Sequence, residues 1–280
     1  MKKIPMISRL SILLIASLCT SVALADDCCP SICDWFSCGS WGYQIRAGVY
    51  PTIWRNRGDV VLNSCDCITN TLATPGTNLG ELPKFNKLFK MPFIVGTQLT
   101  YAWSDCSDLY FELNFIQASP KKGTFNTVTA INPALALRLG HYRAISGYVG
   151  AHYNFWQWCD CSTFFVGAKI GAIYRSNIHA HEVTAPEASC ICSEPFKRVF
   201  FKHKVKISGG ANIGVNYCWC DTWAIVLTGE VVVSGGPRGA TCVPLLHSEV
   251  IALAGGSALG VSKIKTEISF PVTLGLKYNF

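Results

Sequence analysis

The amino-acid sequence predicts an all-β protein: an antiparallel, up-and-down, transmembrane β-barrel of about eight strands, or of roughly ten to twelve. Half of the residues are hydrophobic, yet after the N-terminal segment no apolar run approaches the ~20 residues that a spanning helix needs. Apolar residues instead alternate with small or polar ones, as in strands with two different faces. Transmembrane barrels carry their apolar residues in this way, at every second position.

The N-terminus has the organisation of a secretory signal peptide. A basic start is followed by the apolar stretch Leu10–Leu18 and by a small-x-small cleavage site that ends at Ala25. An exported chain is therefore expected. Its predicted organisation is a signal peptide at 1–25, a cysteine-rich segment at 26–40 and a barrel at 41–280.

Three segments repeat one pattern, in which a short turn holding Cys and Asp joins two alternating runs. They are "TYAWSDCSDLYFEL" (100–113), "YNFWQWCDCSTFFVG" (153–167) and "VNYCWCDTWAIVL" (215–227). Alternating runs joined by a short polar turn predict β-hairpins. Tryptophans recur beside these turns and before the first strand, which is typical of an aromatic girdle at a membrane interface: Trp41, Trp103, Trp156, Trp158, Trp219 and Trp223.

The strands are predicted at 41–54, 92–103, 109–117, 145–156, 163–174, 204–219, 222–233 and 267–280. Short connections then alternate with long ones, as periplasmic turns alternate with extracellular loops in outer-membrane barrels. This places the Cys-Asp turns and both ends of the barrel on the periplasmic side. Two further segments, 132–143 and 248–255, also alternate, and adding both as strands would give a ten-stranded barrel.

Charged and polar residues lie opposite the apolar faces of these strands. A lysine or arginine on the lipid face near the bilayer midplane costs roughly 2–4 kcal/mol, so these side chains are expected inside the barrel. They either line a water-filled channel or pair with one another and plug the lumen, because eight strands leave room for little more than side chains. The predicted lumen-facing residues are Arg46, Glu112, His152, Lys169, Lys206, Glu230 and Lys277.

The C-terminal segment "PVTLGLKYNF" resembles the closing strand of Gram-negative outer-membrane barrels. Its apolar residues fall on one face and it stops at an aromatic residue. The resemblance implies an outer-membrane location in a Gram-negative bacterium, contact with outer-membrane lipid, and recognition by the barrel insertion machinery. The residues that would carry this insertion signal are Leu276, Tyr278 and Phe280.

Fifteen cysteines are present, and all but Cys19 follow the signal peptide. An exported chain meets an oxidising compartment, which favours disulfides. Repeated Cys-x-Cys spacing is tight for paired zinc knuckles, so no metal site is predicted. Bonds within the chain and bonds to neighbouring barrels or other envelope proteins both stay open. The candidates before the first strand and at the short turns are Cys28, Cys29, Cys33, Cys38, Cys106, Cys159, Cys161, Cys218 and Cys220.

A cysteine-rich segment before a barrel, a Cys-x-Cys turn and the closing strand resemble the chlamydial major outer membrane porin group. The matching stretches are "CCPSICDWFSCGSWGYQIRAGVY", "WQWCDC" and "LGLKYNF". The resemblance implies a general diffusion porin whose disulfides stiffen the cell envelope. This chain is shorter than the members of that group, which bears on the strand number and therefore on the open pore.

The sequence predicts no enzyme, no catalytic residue and no cofactor. Two histidines in "HAHE" (179–182) lack a third ligand and a nucleophile motif. Without the signal peptide, which holds three basic and no acidic residues, the formal charge falls from +7 to +4, which is too mild and too scattered to predict nucleic-acid binding. The expected function is a disulfide-linkable envelope barrel that passes small hydrophilic solutes. The alternatives are a closed barrel acting as an adhesin or interaction protein through its outer loops and, third, a barrel enzyme.

Overall fold

The structure is a computed structural model. It describes residues 39–55, 59–66, 71–81, 84–104, 106–121, 135–159, 162–184, 197–218, 222–239, 243–244, 257–261 and 264–280. The predicted signal peptide, and the candidates Cys28, Cys29, Cys33, Cys38, Cys161 and Cys220, lie outside the described residues.

Strands make up nearly all of the described chain. The strands are β1 (Trp41–Val49), β2 (Thr52–Arg55), β3 (Asp59–Asp66), β4 (Thr71–Glu81), β5 (Phe93–Ser104), β6 (Ser107–Ala118), β7 (Leu135–Leu139), β8 (Tyr142–Cys159), β9 (Ser162–Arg175), β10 (Ile178–Thr184), β11 (Lys197–Lys202), β12 (Lys204–Cys218), β13 (Trp223–Gly235), β14 (Arg238–Gly239), β15 (Val243–Pro244), β16 (Ser257–Val261), β17 (Thr266–Ser269) and β18 (Val272–Asn279). One short helix, α1 (Phe85–Leu88), precedes β5.

Eight of these strands close into an antiparallel barrel, in the order β1-β5-β6-β8-β9-β12-β13-β18. The barrel closes where the first strand pairs with the last, from Gly42 opposite Asn279 to Val49 opposite Val272. Closure gives every barrel strand two neighbours and removes sheet edges, which a bilayer does not tolerate. The predicted count of eight is confirmed, and the segment 248–255, on which a higher count partly depended, lies outside the described residues.

Prolines interrupt two of the predicted strands. The predicted strand 41–54 divides at Pro51 into β1 and β2, and the predicted strand 267–280 divides at Pro271 into β17 and β18. Proline has no backbone N–H to donate to a sheet, although both carbonyls still accept. The Pro51 carbonyl accepts a 2.8 Å bond from the Phe270 N–H, and that of Pro271 a 2.9 Å bond from the Glu230 N–H. Strands β2 and β17 then pair with each other beyond the barrel.

The sequence predicted the long connections as loops, but parts of them form strands. Part of the segment 132–143 forms β7, which pairs with β10 in a four-stranded sheet separate from the barrel, with the order β14-β11-β10-β7. A second four-stranded sheet has the order β15-β16-β3-β4. Both sheets belong to the long-loop end, whereas the short turns and Phe280 lie at the opposite, short-turn end of the barrel.

Burial alternates along the barrel strands, as in the pattern of β5, in which every second residue is buried. The outward residues are apolar and exposed, among them Ile45, Leu99, Phe111, Leu113, Val149, Ile213, Leu227 and Leu274. An outward apolar band around a closed barrel is the surface of a protein that spans a lipid bilayer. Within the described part of the chain, no helix is long and apolar enough to cross a membrane, a finding that has no bearing on a β-barrel.

The described tryptophans near the short-turn end are exposed on the outside of the barrel: Trp41, Trp103, Trp156, Trp158 and Trp223. Several pack against aromatic neighbours, with ring centroids 4.9 Å apart for Trp41 and Tyr101 and 5.0 Å apart for Trp156 and Phe164. Amphipathic rings at this level mark one interface of the bilayer.

Candidate functional site: the barrel interior

Four oppositely charged side chains meet in the middle of the barrel. Arg46 comes from β1, Glu112 from β6, Lys169 from β9 and Glu230 from β13, and none of these strands is adjacent to another in the group. Arg46 contacts Glu230 at 2.7 Å, and Lys169 contacts Glu112 at 2.9 Å. Arg46 also pairs with Glu112, and Lys169 with Glu230. The four form a closed cycle of alternating charges, called the charge ring below.

Neutral neighbours satisfy the remaining hydrogen-bonding groups of the charge ring. The Asn114 Oδ1 accepts from Nε and Nη2 of Arg46 at 3.2 and 3.0 Å, while its Nδ2 donates to Glu112 at 2.5 Å. The Lys169 ammonium also lies 4.5 Å from the centre of the Tyr148 ring, a cation–π distance. Buried charges require such pairing, because their desolvation is otherwise uncompensated.

The charge ring closes the barrel at its own level. The side chains of Arg46, Glu112, Lys169 and Glu230 are 0–1% exposed to solvent. Side chains that line a water-filled channel remain accessible to water. The ring therefore fills the cross-section of the barrel, in agreement with the narrow interior that eight strands enclose.

An aromatic cluster fills the barrel nearer its long-loop end. Trp54 packs edge-on against Phe85, Phe89 and Phe201, with ring centroids 5.0, 6.1 and 5.6 Å apart, and Tyr142 packs edge-on against Phe85 at 5.4 Å. All five side chains are buried. These five residues are called the aromatic cap below. Phe85 comes from α1 and Phe89 directly follows it, so the helix belongs to the cap.

A second ion pair lies beside the aromatic cap. Nη2 of Arg175 contacts Oε1 of Glu267 at 2.7 Å, and both side chains are nearly inaccessible to solvent. Glu267 also accepts a 2.9 Å bond from Nε1 of Trp54 and a 3.1 Å bond from the Tyr142 hydroxyl. The same carboxylate thus holds two rings of the cap in place.

Polar side chains occupy the short-turn end of the interior. His152 stacks on Tyr110 with centroids 4.2 Å apart, and its Nε2 lies 3.3 Å from Nδ2 of Asn212. A small cavity nearby is lined by Gln44, Gln98, Asp108, His152, Asn216 and Lys277, among others. Its free space fits roughly one water molecule. Solutes of the size that general porins pass do not fit there.

The predicted interior residues thus fall into three groups. Arg46, Glu112, Lys169 and Glu230 form the charge ring, His152 and Lys277 line the cavity, and Lys206 is half-exposed towards the long-loop end. Arg175 and Glu267 were not among the residues predicted from the sequence. Arg175 was detectable, because it lies six residues after Lys169 and so on the same face of β9.

The C-terminal candidates lie on the lipid-facing side of the last strand. Leu276, Tyr278 and Phe280 are exposed. The Tyr278 ring lies 4.9 Å from Trp223 and 6.1 Å from Phe280. Their part in insertion stays a prediction.

Cysteine pairing also stays a prediction. Cys106 lies in the β5–β6 turn and Cys218 ends β12, and both are buried. Cys159 ends β8, so three cysteines gather at the short-turn end. Among the described side chains, no group of three His, Cys, Asp or Glu residues is arranged to hold a metal ion.

The closed barrel, its outward apolar band and its tryptophan girdle define the chain as a β-barrel of the outer-membrane type. No family model matches the chain, and no curated protein is similar to it in sequence. Solved structures of similar shape include the outer membrane protein AlkL in lipid bilayers, with a TM-score of 0.45, 11% identity, and coverage of 91% of this chain and 96% of that one.

Two further outer-membrane proteins are similar at the same level. Neisserial surface protein A has a TM-score of 0.41 and 12% identity, with 86% of this chain and 97% of that chain covered. OprG from Pseudomonas aeruginosa has a TM-score of 0.40 and 13% identity, with 88% and 98% covered. The assignment of the barrel rests on the strand pairing of this chain. The resemblance to the chlamydial porin group is not shown by these comparisons and stays a prediction.

Proposed function

We propose that this protein is a closed barrel in the outer membrane of a Gram-negative bacterium that supports the envelope and presents its outer segments to partners. The observation that carries the proposal is the charge ring, whose side chains are 0–1% exposed. A diffusion porin needs a continuous wet lumen. The geometry therefore favours the closed barrel over the porin, the reverse of the preference that the sequence alone gave.

The long-loop end supports the interaction part of the proposal. Two four-stranded sheets are formed by the segments that connect the barrel strands at that end. Paired strands offer a more persistent binding surface than open loops, because their backbone hydrogen bonds are already made. The proposal includes no catalytic step and no cofactor.

The cysteines support the structural part of the proposal. Cys106, Cys159 and Cys218 gather at the short-turn end, which faces the oxidising periplasm in the orientation usual for outer-membrane barrels. We expect some of the cysteines at this end to bond to neighbouring barrels or to other envelope proteins, as the resemblance to the chlamydial group implies.

Solute uptake tests the closed barrel. The mature chain is folded into liposomes and the entry of small sugars is followed by swelling. We expect swelling no faster than in protein-free liposomes, because the charge ring and aromatic cap exclude solutes. Folding is checked in the same samples by heat-modifiable gel migration. Swelling that slows as the sugar grows larger would show a pore and contradict the proposal.

Non-reducing electrophoresis of native envelopes tests the cross-linking. We expect multimers that collapse to monomer with reductant. Replacing Cys159 and Cys161 by serine should weaken these multimers, because Cys159 ends β8 at the short-turn end and Cys161 is two residues further along the chain. Replacing Cys190 and Cys192, the matched Cys-x-Cys pair from a long loop, should leave them unchanged. Monomer alone in the untreated wild type would contradict the structural part.

A further inference from the structure

Three basic residues lie on or beside neighbouring strands at the long-loop end of the barrel. Lys90 lies three residues before the start of β5, Lys121 lies three residues after the end of β6, and Arg143 is the second residue of β8. All three are exposed. The Lys90 N–H donates to the Ser119 carbonyl, and Gln117 pairs with both Phe93 and Arg143. The three residues therefore form one patch across three adjacent strands, called the basic sector below.

The basic sector lies directly above lipid-facing side chains. Val95, Phe115 and Ile145 form a row across the same three strands, and all three are exposed apolar residues. Arg143 is two residues beyond Ile145 on the same face of β8, about 7 Å further along the strand. A lipid that contacts this row has its headgroup at the level of the basic sector.

The length of strand β5 supports the placement of the basic sector at a bilayer interface. Trp103 marks the interface at the short-turn end, and Phe93 lies ten residues away on the same strand. Ten residues span about 34 Å along a strand, or about 26 Å along the membrane normal at a tilt of about 40°. The apolar band of outer-membrane barrels is about 25 Å tall. The row of Phe93, Gln117 and Arg143 therefore meets the opposite interface.

The structure describes no acidic side chain that could neutralise the basic sector. Asp108, Glu112, Glu230 and Glu267, the acidic residues whose side chains the structure describes, are all buried inside the barrel. Three positive charges next to an apolar row favour a ligand that is both anionic and lipidic. Arginine and lysine suit phosphate oxygens, which accept short charge-assisted hydrogen bonds.

We propose that the basic sector binds the phosphorylated headgroup of an outer-leaflet lipid whose acyl chains lie against Val95, Phe115 and Ile145. The site holds the barrel to this lipid at one side of its circumference. Free phosphate would not use the apolar row, so the lipid is the ligand. This inference concerns the outer surface of the barrel and is independent of whether the lumen is closed.

Binding of diphosphorylated lipid A tests the proposal. The folded wild type is placed in nanodiscs of uncharged phosphatidylcholine with EDTA present, and binding of labelled diphosphorylated lipid A is titrated. The triple variant Lys90→Gln/Lys121→Gln/Arg143→Gln should bind roughly 100-fold more weakly, because each basic residue near a charged lipid surface contributes about a factor of five. The charge-preserving variant Lys90→Arg/Lys121→Arg/Arg143→Lys should bind as the wild type does.

A matched control removes the same charge elsewhere. Lys202, Arg238 and Lys265 are exposed on segments that continue beyond the barrel strands, so their replacement by glutamine should change binding less than threefold. Equal losses in both triple variants would show non-specific attraction and overturn the proposal. Dephosphorylated lipid A binding as tightly, or inorganic pyrophosphate displacing the lipid at equal concentration, would also overturn it. Heat-modifiable migration checks that every variant is folded.

Discussion

Replacing Glu112 by glutamine is expected to lower the free energy of unfolding by about 3–5 kcal/mol, because it leaves a buried cation of the charge ring uncompensated. Glu112 is fully buried and pairs with both Arg46 and Lys169. Replacing Glu230 by glutamine should have an effect of the same size. The measurement is urea unfolding of the folded barrel in lipid vesicles, followed by tryptophan fluorescence and by gel migration.

A charge-balanced variant provides the control for this prediction. Glu112→Gln/Lys169→Met removes one charge of each sign and leaves the 2.7 Å pair of Arg46 and Glu230 intact. Replacing a whole buried pair by neutral residues is often close to neutral in stability. The double variant should therefore be more stable than Glu112→Gln alone. If the single variant lost less than about 1 kcal/mol, water would have to reach the ring, and the closed interior would be contradicted.

Replacing Trp54 by alanine is expected to cost about 3–5 kcal/mol, the usual loss for a large buried aromatic residue. Trp54 contacts three other rings of the aromatic cap and donates to Glu267 at 2.9 Å. Its loss leaves a cavity at the centre of the cap and removes one of the hydrogen bonds that hold the carboxylate. The same urea unfolding measurement gives the value.

Two variants separate the contributions in the cap. Trp54→Phe keeps most of the packing but removes the N–H donor, so it should cost about 1.5–3 kcal/mol, the range for a hydrogen bond to a charged group. Trp103→Ala removes a tryptophan that is 60% exposed in the girdle and should cost less than Trp54→Ala. Equal losses for Trp54→Ala and Trp103→Ala would show that the cap is not packed as described.

The strand arrangement was readable from the sequence because alternation is a local property. Each barrel strand has an apolar outward face and a small or polar inward face, and short turns fix antiparallel neighbours. Alternation also placed Arg46, Glu112, Lys169 and Glu230 inside. Alternation assigns each residue to the inner or outer face but not to a position along the barrel axis. That position depends on the stagger between neighbouring strands, which the sequence does not state. His152 and Lys277 were therefore predicted as lumen-facing together with the four ring residues, although they line the cavity instead.

The aromatic cap could not be predicted for a different reason. Helix α1 has four residues, too few to show a helical period, and the contacts of its Phe85 with Trp54 and Tyr142 join distant parts of the chain. The breaks at Pro51 and Pro271 were detectable, because proline has no N–H for a sheet. The apolar alternation continues on both sides of each proline, so each segment was predicted as one strand although the structure divides it into two.

The closed interior decides between a porin and a barrel that works through its outer segments and cysteines. Single-channel recording from the folded mature chain in planar bilayers, with and without reductant, tests it most directly. The charge ring and the aromatic cap predict that no conductance steps appear under either condition. The folding of the protein is verified by gel migration. Stable ohmic steps from the same protein would contradict the closed interior and restore the porin.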